Sequence, residues 1–265
     1  MRSRYALRLL ALGYLALLLG IPVALVFVNA FQDGIGPAWD AVSTPEAQHA
    51  FYLTFLMVAV TVPLNTIFGV LAALAIVRQR FRGRALLNAA IDLPFAVSPV
   101  VVGLALLLVY GSRDGWIGDW LAEHGIRIIF STPGMILATM FVSLPFVVRE
   151  TIPVLREIGT EQEQAAATLG AGPLQTFFRV TLPAIRWGVA YGVVLTTARA
   201  LGEFGAVSVV SGNLSGQTET ATLFVQNRFQ RFDETGAYAA SVVLALVALV
   251  TLLAMNVIKP KEVKA

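Results

Sequence analysis

Cysteine is absent from the 265 residues. That excludes disulfides, thiol catalysis and any metal site built on thiolates. Charge is scarce as well: 13% of residues are Asp, Glu, Lys or Arg, against roughly a quarter in an ordinary soluble domain. Too few charged side chains are present to coat a globule, so disorder and an ordinary soluble enzyme are both excluded. Lysine occurs only as Lys259, Lys261 and Lys264, at the extreme C-terminus. A phosphate-cradling loop needs a lysine directly after its glycines, so this chain carries no Walker A site. The two histidines, His49 and His124, stand apart and form no ligand cluster. No acid pair, nucleophile triad or metal constellation emerges, so no catalytic residue and no metal site is expected.

What is abundant is apolar surface: 57% of residues are hydrophobic and the mean hydropathy is +0.76. A membrane-crossing helix needs about 20 predominantly apolar residues. Six runs qualify: 9–31, 50–77, 85–110, 128–148, 187–210 and 237–258. Backbone groups in lipid must be satisfied within the segment, which makes each run a helix. A β-barrel is excluded, because its strands are short and alternate apolar with polar residues. The expectation is an all-α polytopic membrane protein forming a single domain over 1–265. The first run follows Arg2, Arg4 and Arg8 and contains a passable cleavage site at Val28-Asn29-Ala30. It is longer than the about 7–15 residues of a signal core, so a retained first span is expected.

Basic residues set the orientation. Arg2, Arg4 and Arg8, then Arg78, Arg80, Arg82 and Arg84, then Arg149, Arg156, Arg179 and Arg186, and finally the three lysines, all fall on one side. These are fourteen of the 19 Lys and Arg residues. Arg113, Arg127, Arg228 and Arg231 fall on the other. Positive charge marks the cytoplasmic face, so both termini are expected inside. The basic balance is a topology signal, and no nucleic-acid partner is implied. Pro22, Pro63, Pro94, Pro99 and Pro145 lie within the spans. They read either as tolerated bends or as flexible points around a moving pathway.

Two features stand out from the spans. The first is the long cytoplasmic segment 149–186. Thr160 with Glu163 fits a capping box, and the Glu-, Gln- and Ala-rich run after it favours helix. Gly170 suits a left-handed C-cap. Gly172 makes a turn, Pro173 suits the first position of a second helix, and that helix is expected to stop near Pro183. Small side chains on this hairpin permit close approach by a partner, or equally by the protein's own spans. The second feature is charge inside the membrane, which is costly and by default functional. Arg199 and Glu203 are four residues apart, share one helix face and can pair. Gly192, Gly202 and Gly205 allow close helix approach beside them. Asp92, next to Pro94, is expected to make a hydrogen bond or ion pair at a kink.

Gln164-Ala165-Ala166, three residues, Gly170, then nine residues to Val180-Thr181-Leu182-Pro183 resembles the EAA loop of binding-protein-dependent ABC importer permeases. Gln164 stands where that family usually has Glu, and Val180 where it usually has Ile. Glu161 and Glu163 lie beside the first departure as acidic alternatives. Residues 91–103 and 198–212 further resemble sulfate/thiosulfate permeases of the W-subunit type, and the resemblance covers roughly residues 5–255. Molybdate permeases share the Gly-Glu-Phe-Gly stretch but resemble the third run less well.

The resemblance implies a type I ABC importer permease with six spans, in the cytoplasmic (inner) membrane. It would translocate sulfate or thiosulfate. Its implied partners are a related second permease in a heterodimer, two ATP-binding subunits, and a periplasmic or extracellular binding protein for the anion. ATP and Mg would be bound by the partner ATPase, leaving no cofactor in this chain. Gln164, Ala165, Ala166, Gly170, Leu182 and Pro183 inherit the role of docking that ATPase. Arg199 and Glu203 become either a packing pair or part of the pathway and gate. The exterior loops 32–48, 111–127 and 212–236 would meet the binding protein, with Arg228, Arg231, Asp233 and Glu234 as salt-link candidates or as ordinary polar surface. Two other readings remain: a molybdate or tungstate importer, and a stand-alone ion-coupled carrier, which explains the spans but not the loop.

Overall fold

The computed structural model describes residues 2–112 and 115–258, with side chains from 7 to 253 within them. Arg113, Lys259, Lys261 and Lys264, and the side chains of Arg2 and Arg4, fall outside that description, so those topology markers are not placed. The described residues are helical or in short connections, with no strand among them.

The chain starts as one long rod: α1 (Arg2–Leu15), a widened π-turn at Ala16–Gly20, and α2 (Ile21–Ala30). A short α3 (Ile35–Val42) leads to α4 (Pro45–Arg78), the longest helix. Its start is well specified: Thr44 is the N-cap, its hydroxyl accepts from the Ala47 amide at 3.2 Å, and Pro45 fills the first turn. Pro has no amide to lose there and its φ is already helical. Then come α5 (Arg84–Ala96), α6 (Pro99–Tyr110), the small α7 (Gly118–Glu123) and α8 (Thr132–Glu157). The coupling segment 158–181, so called because the resemblance gives it the role of coupling to an ATPase, holds α9 (Glu161–Thr168) and α10 (Pro173–Thr176), followed by a second π-turn at Phe177–Thr181. The chain ends in α11 (Leu182–Leu201), α12 (Gly205–Val210), α13 (Ala221–Gln230) and α14 (Glu234–Ile258).

Among the described residues four helices are long and apolar enough to cross a membrane: Leu7–Ala30, Pro45–Arg78, Thr132–Glu157 and Glu234–Leu253. The pair α5 and α6 makes a fifth if it counts as one broken span. Two runs therefore differ from the straight helices expected. The run 85–110 turns by 114° between Ala96 and Pro99, because Ser98, preceding a proline, is pushed into the extended region. The run 187–210 stops at Leu201 and restarts at Gly205. Arg186 and Arg199 fall inside α11, so it is not a continuous apolar rod.

The centre is the trio α4, α8 and α11. Val147 of α8 is the point of closest approach. A Cβ added to Gly69 of α4 would lie 2.7 Å from its side chain, and one added to Gly192 of α11 would lie 2.7 Å from its Cα. Small residues let membrane helices pack at this range, where dispersion rather than the hydrophobic effect holds them. Two apolar clusters lie along the trio. One gathers Leu53, Met57, Val102, Met135, Val207 and Leu223. The other gathers Val70, Ile76, Ile91, Val147, Leu155 and Ile185 near the coupling segment. Between them sits a fully buried polar layer of Thr61, Asn65, Thr139, Ser143 and Thr196. The Asn65 amide nitrogen donates to the Met140 carbonyl at 3.0 Å and to Ser143 Oγ at 2.9 Å, while Thr61 Oγ1, Thr196 Oγ1 and the Asn65 side-chain oxygen of this layer have no hydrogen-bond partner among the described residues.

Candidate functional site

The coupling segment begins where α8 ends. Gly159 takes φ +61° just past the helix, the left-handed position at which a residue without a Cβ is least strained. Thr160 then precedes α9, but its side chain caps nothing. The capping box expected from Thr160 and Glu163 does not form. Gln164 instead donates to Thr160 Oγ1 at 3.1 Å, and Glu163 turns inward. Its carboxylate meets Arg78, the last residue of α4, with Nε 3.0 Å from Oε2. It also accepts from Thr181 Oγ1 at 2.9 Å. A partly buried charged donor outbids an exposed backbone amide, since charge-assisted bonds are about twice as strong as neutral ones.

The other end of the hairpin matches expectation in part. Gly170 is left-handed at φ +83° and terminates α9, with the Ala171 amide donating back to the Ala166 carbonyl at 3.0 Å. Pro173 opens α10. The second helix does not stop at Pro183. It widens into the π-turn Phe177–Thr181 and continues as α11. A turn with one extra residue gives room for a proline ring that an α-helix interior would exclude. Gln164, Ala165, Gly170 and Pro183 are exposed, and Ala166 is half-buried. Leu182 is partly buried and packs on the inner apolar cluster. The exposed apolar tip is made by others: Leu169 at 89%, Leu174 at 75% and Phe178 at 61% of full exposure. Sequence marks Arg78 only as a cytoplasmic charge and Thr181 only as a motif position, and gives these three apolar residues no role. Nothing in the pattern separates Arg78 from Arg80, Arg82 and Arg84.

Arg199 and Glu203 are paired, Nη1 to Oε2 at 2.6 Å, with the Glu203 side chain 1% exposed and that of Arg199 29%. The pair bridges the break between α11 and α12. The second Glu203 oxygen accepts from the Ala206 amide at 2.9 Å, a favourable place for negative charge at a helix start. Asp92 and Arg149 form a two-pronged ion pair between α5 and α8, with Nε to Oδ1 at 2.7 Å and Nη2 on Oδ2. Asp92 stands two residues before Pro94 in α5, ahead of the bend between Ala96 and Pro99.

On the opposite end, Arg228 pairs with Asp233 of its own loop at 3.0 Å and lies over the Phe224 ring. His49 meets the Gln217 carbonyl at 3.0 Å, and His124 that of Trp120 at 2.7 Å. Among the described residues no group of three or more His, Cys, Asp or Glu is placed to hold a metal.

The described residues form an exposed small-residue hairpin fastened to a close-packed helix trio. The chain is 52% identical over 260 residues to the sulfate transport system permease protein CysW of Synechocystis sp., covering 98% of this chain and 94% of that one. It is 41% identical to the sulfate transport system permease protein CysT of Synechococcus elongatus, covering 93% and 88%. Its fold is that of a chain in the crystal structure of a bacterial alginate ABC transporter in complex with an alginate pentasaccharide-bound periplasmic protein. There the TM-score is 0.78 at 20% identity, and 99% of this chain and 96% of that chain are covered. The model of the binding-protein-dependent transport system inner membrane component family matches residues 65–264, and the chain belongs to that family.

Proposed function

We propose that this chain is the membrane-spanning permease subunit of an ABC importer that carries sulfate or thiosulfate into the cell. The observation that carries the reading is identity above one half to a sulfate permease across 98% of the chain. The exposed hairpin with family spacing supports it. The chain crosses the inner membrane six times: as α1 with α2, α4, α5 with α6, α8, α11 with α12, and α14. Both termini are cytoplasmic.

A related permease completes a heterodimer, two ATP-binding subunits sit beneath, and a loaded binding protein docks on the exterior loops. ATP and Mg are held by the ATPase. ATP binding draws the ATPases together, and the hairpin tip around Gln164, Ala165, Ala166 and Gly170 moves with them. That movement opens the path towards the binding protein, and hydrolysis resets it. Arg199 and Glu203 hold the α11–α12 break beside that path. The test is ATP-dependent uptake of labelled sulfate, thiosulfate and molybdate by the reconstituted complex, with the permease alone as control. Sulfate or thiosulfate uptake that requires ATP is expected. Molybdate uptake without sulfate uptake overturns the substrate, and transport by the permease alone overturns the class.

A further inference from the structure

We propose that Arg78 is the positioning residue through which movement of the coupling hairpin reaches three spans together. The inference rests on the importer reading above and adds to it the residue that connects the driven part to the moving part.

The geometry carries it. Arg78 ends α4, and its side chain is only 16% exposed. Its Nη1 donates to the Leu155 carbonyl in the last turn of α8 at 3.0 Å. Its Nη2 donates to the Gly159 carbonyl, just beyond α8, at 2.5 Å. Its Nε faces Glu163 of α9. Glu163 in turn accepts from Thr181, in the π-turn that leads into α11. One planar guanidinium therefore joins the end of α4, the end of α8 and the first coupling helix, and through one carboxylate the foot of α11. A guanidinium spreads its donors over three nitrogens in a fixed plane, whereas a lysine ammonium offers its three donors from a single point and holds no such spread.

Phe177 and Leu182 pack the π-turn and the foot of α11 on the spans, but the first coupling helix, α9, adds no residue to that cluster. A shallow cavity of about 360 Å³ separates Leu74 and Arg78 from Ala167, Thr176 and Phe177. With apolar contact incomplete there, the charged contacts carry more of the attachment between hairpin and spans. Glu163 is also spoken for on its inner side. The acid nearest the family's usual glutamate position thus faces the spans, and the ATPase is left to the exposed tip.

The experiment uses the whole complex in proteoliposomes, comparing wild type with Glu163→Gln, Arg78→Lys and Arg78→Ala. Three readouts are taken: anion imported, ATP hydrolysed, and ATPase subunit co-purified with the permease. For Glu163→Gln and Arg78→Ala, anion imported per ATP is expected to fall by about tenfold, the scale of one charge-assisted hydrogen bond, with ATPase co-purification within about twofold of wild type. Arg78→Lys should fall between them and wild type. An unchanged ratio in Glu163→Gln overturns the proposal. So does a loss of import matched by a loss of bound ATPase, which would make Glu163 a docking residue. If Arg78→Ala does not assemble, Glu163→Gln and Arg78→Lys decide the matter. The ratio is measured with whichever anion the wild type imports, so a wrong substrate and a wrong Arg78 give different results.

Discussion

Arg199–Glu203 and Arg78–Glu163 are both arginine–glutamate pairs, and they do different work. The first joins residues four apart across a helix break. The second joins residues 85 apart and ties four segments of the chain. A local pair fixes the shape of one turn. A distant pair fixes how one part of the molecule sits on another, so displacement of one part is felt in the other. The local pair is nevertheless the more deeply buried, with the Glu203 side chain at 1% exposure against 22% for Glu163. Breaking the local pair should therefore damage stability most, while breaking the distant pair should show first in coupling.

The largest expected effect tests that contrast directly. Arg199→Ala leaves the Glu203 carboxylate buried without its cation, a loss of about 3–5 kcal/mol. Thermal unfolding of the purified permease should show it, and adding Glu203→Gln in the same chain should restore most of the stability. A single-variant loss below about 1 kcal/mol would mean that the Ala206 amide suffices for the charge. Next is Gly192→Ala, which tests a distant fastening made without charge. The new methyl would lie 2.7 Å from the Val147 Cα, so the helices must separate at a cost of about 1–3 kcal/mol. Unchanged stability would show that the α8–α11 contact yields easily. The smallest is Asp92→Asn. Its pair joins residues 57 apart, yet the side chains are 31% and 44% exposed. A loss of about 1 kcal/mol or less is expected, shrinking further as salt is raised. A larger, salt-insensitive loss would place this pair with Arg78–Glu163 as a true fastening.

Local chemistry was legible and distant chemistry was not. Gly170 as a left-handed cap, Pro173 as a helix start and Arg199–Glu203 as a pair all follow from spacings of a few residues. From sequence Glu163 reads as a capping-box partner or as an acid beside Gln164, because only its near neighbours are visible there. The guanidinium that claims it is 85 residues upstream. Pro99 announced a kink, but the angle of 114° depends on α6 lying against α12. There a Cβ at Gly103 would sit 2.8 Å from the Ala206 carbonyl, and one at Gly205 2.9 Å from Pro99. Leu182 belongs to the family pattern by position, yet its side chain serves the core. A motif records which residues recur, and their facing is decided by the helices around them.

The passage of α10 through its π-turn into α11 has a mechanical consequence. From Pro173 to Leu201 the chain is one unbroken rod, about 40 Å long at about 1.5 Å per residue. Its lower end carries the exposed Leu174 and Phe178, and its middle is pinned where Gly188 and Gly192 press on α8. A rod held near its midpoint and pushed at its foot is a lever. Its far end is the Gly202 break, so a small shift at the base returns as a swing of opposite sense at the Arg199–Glu203 corner.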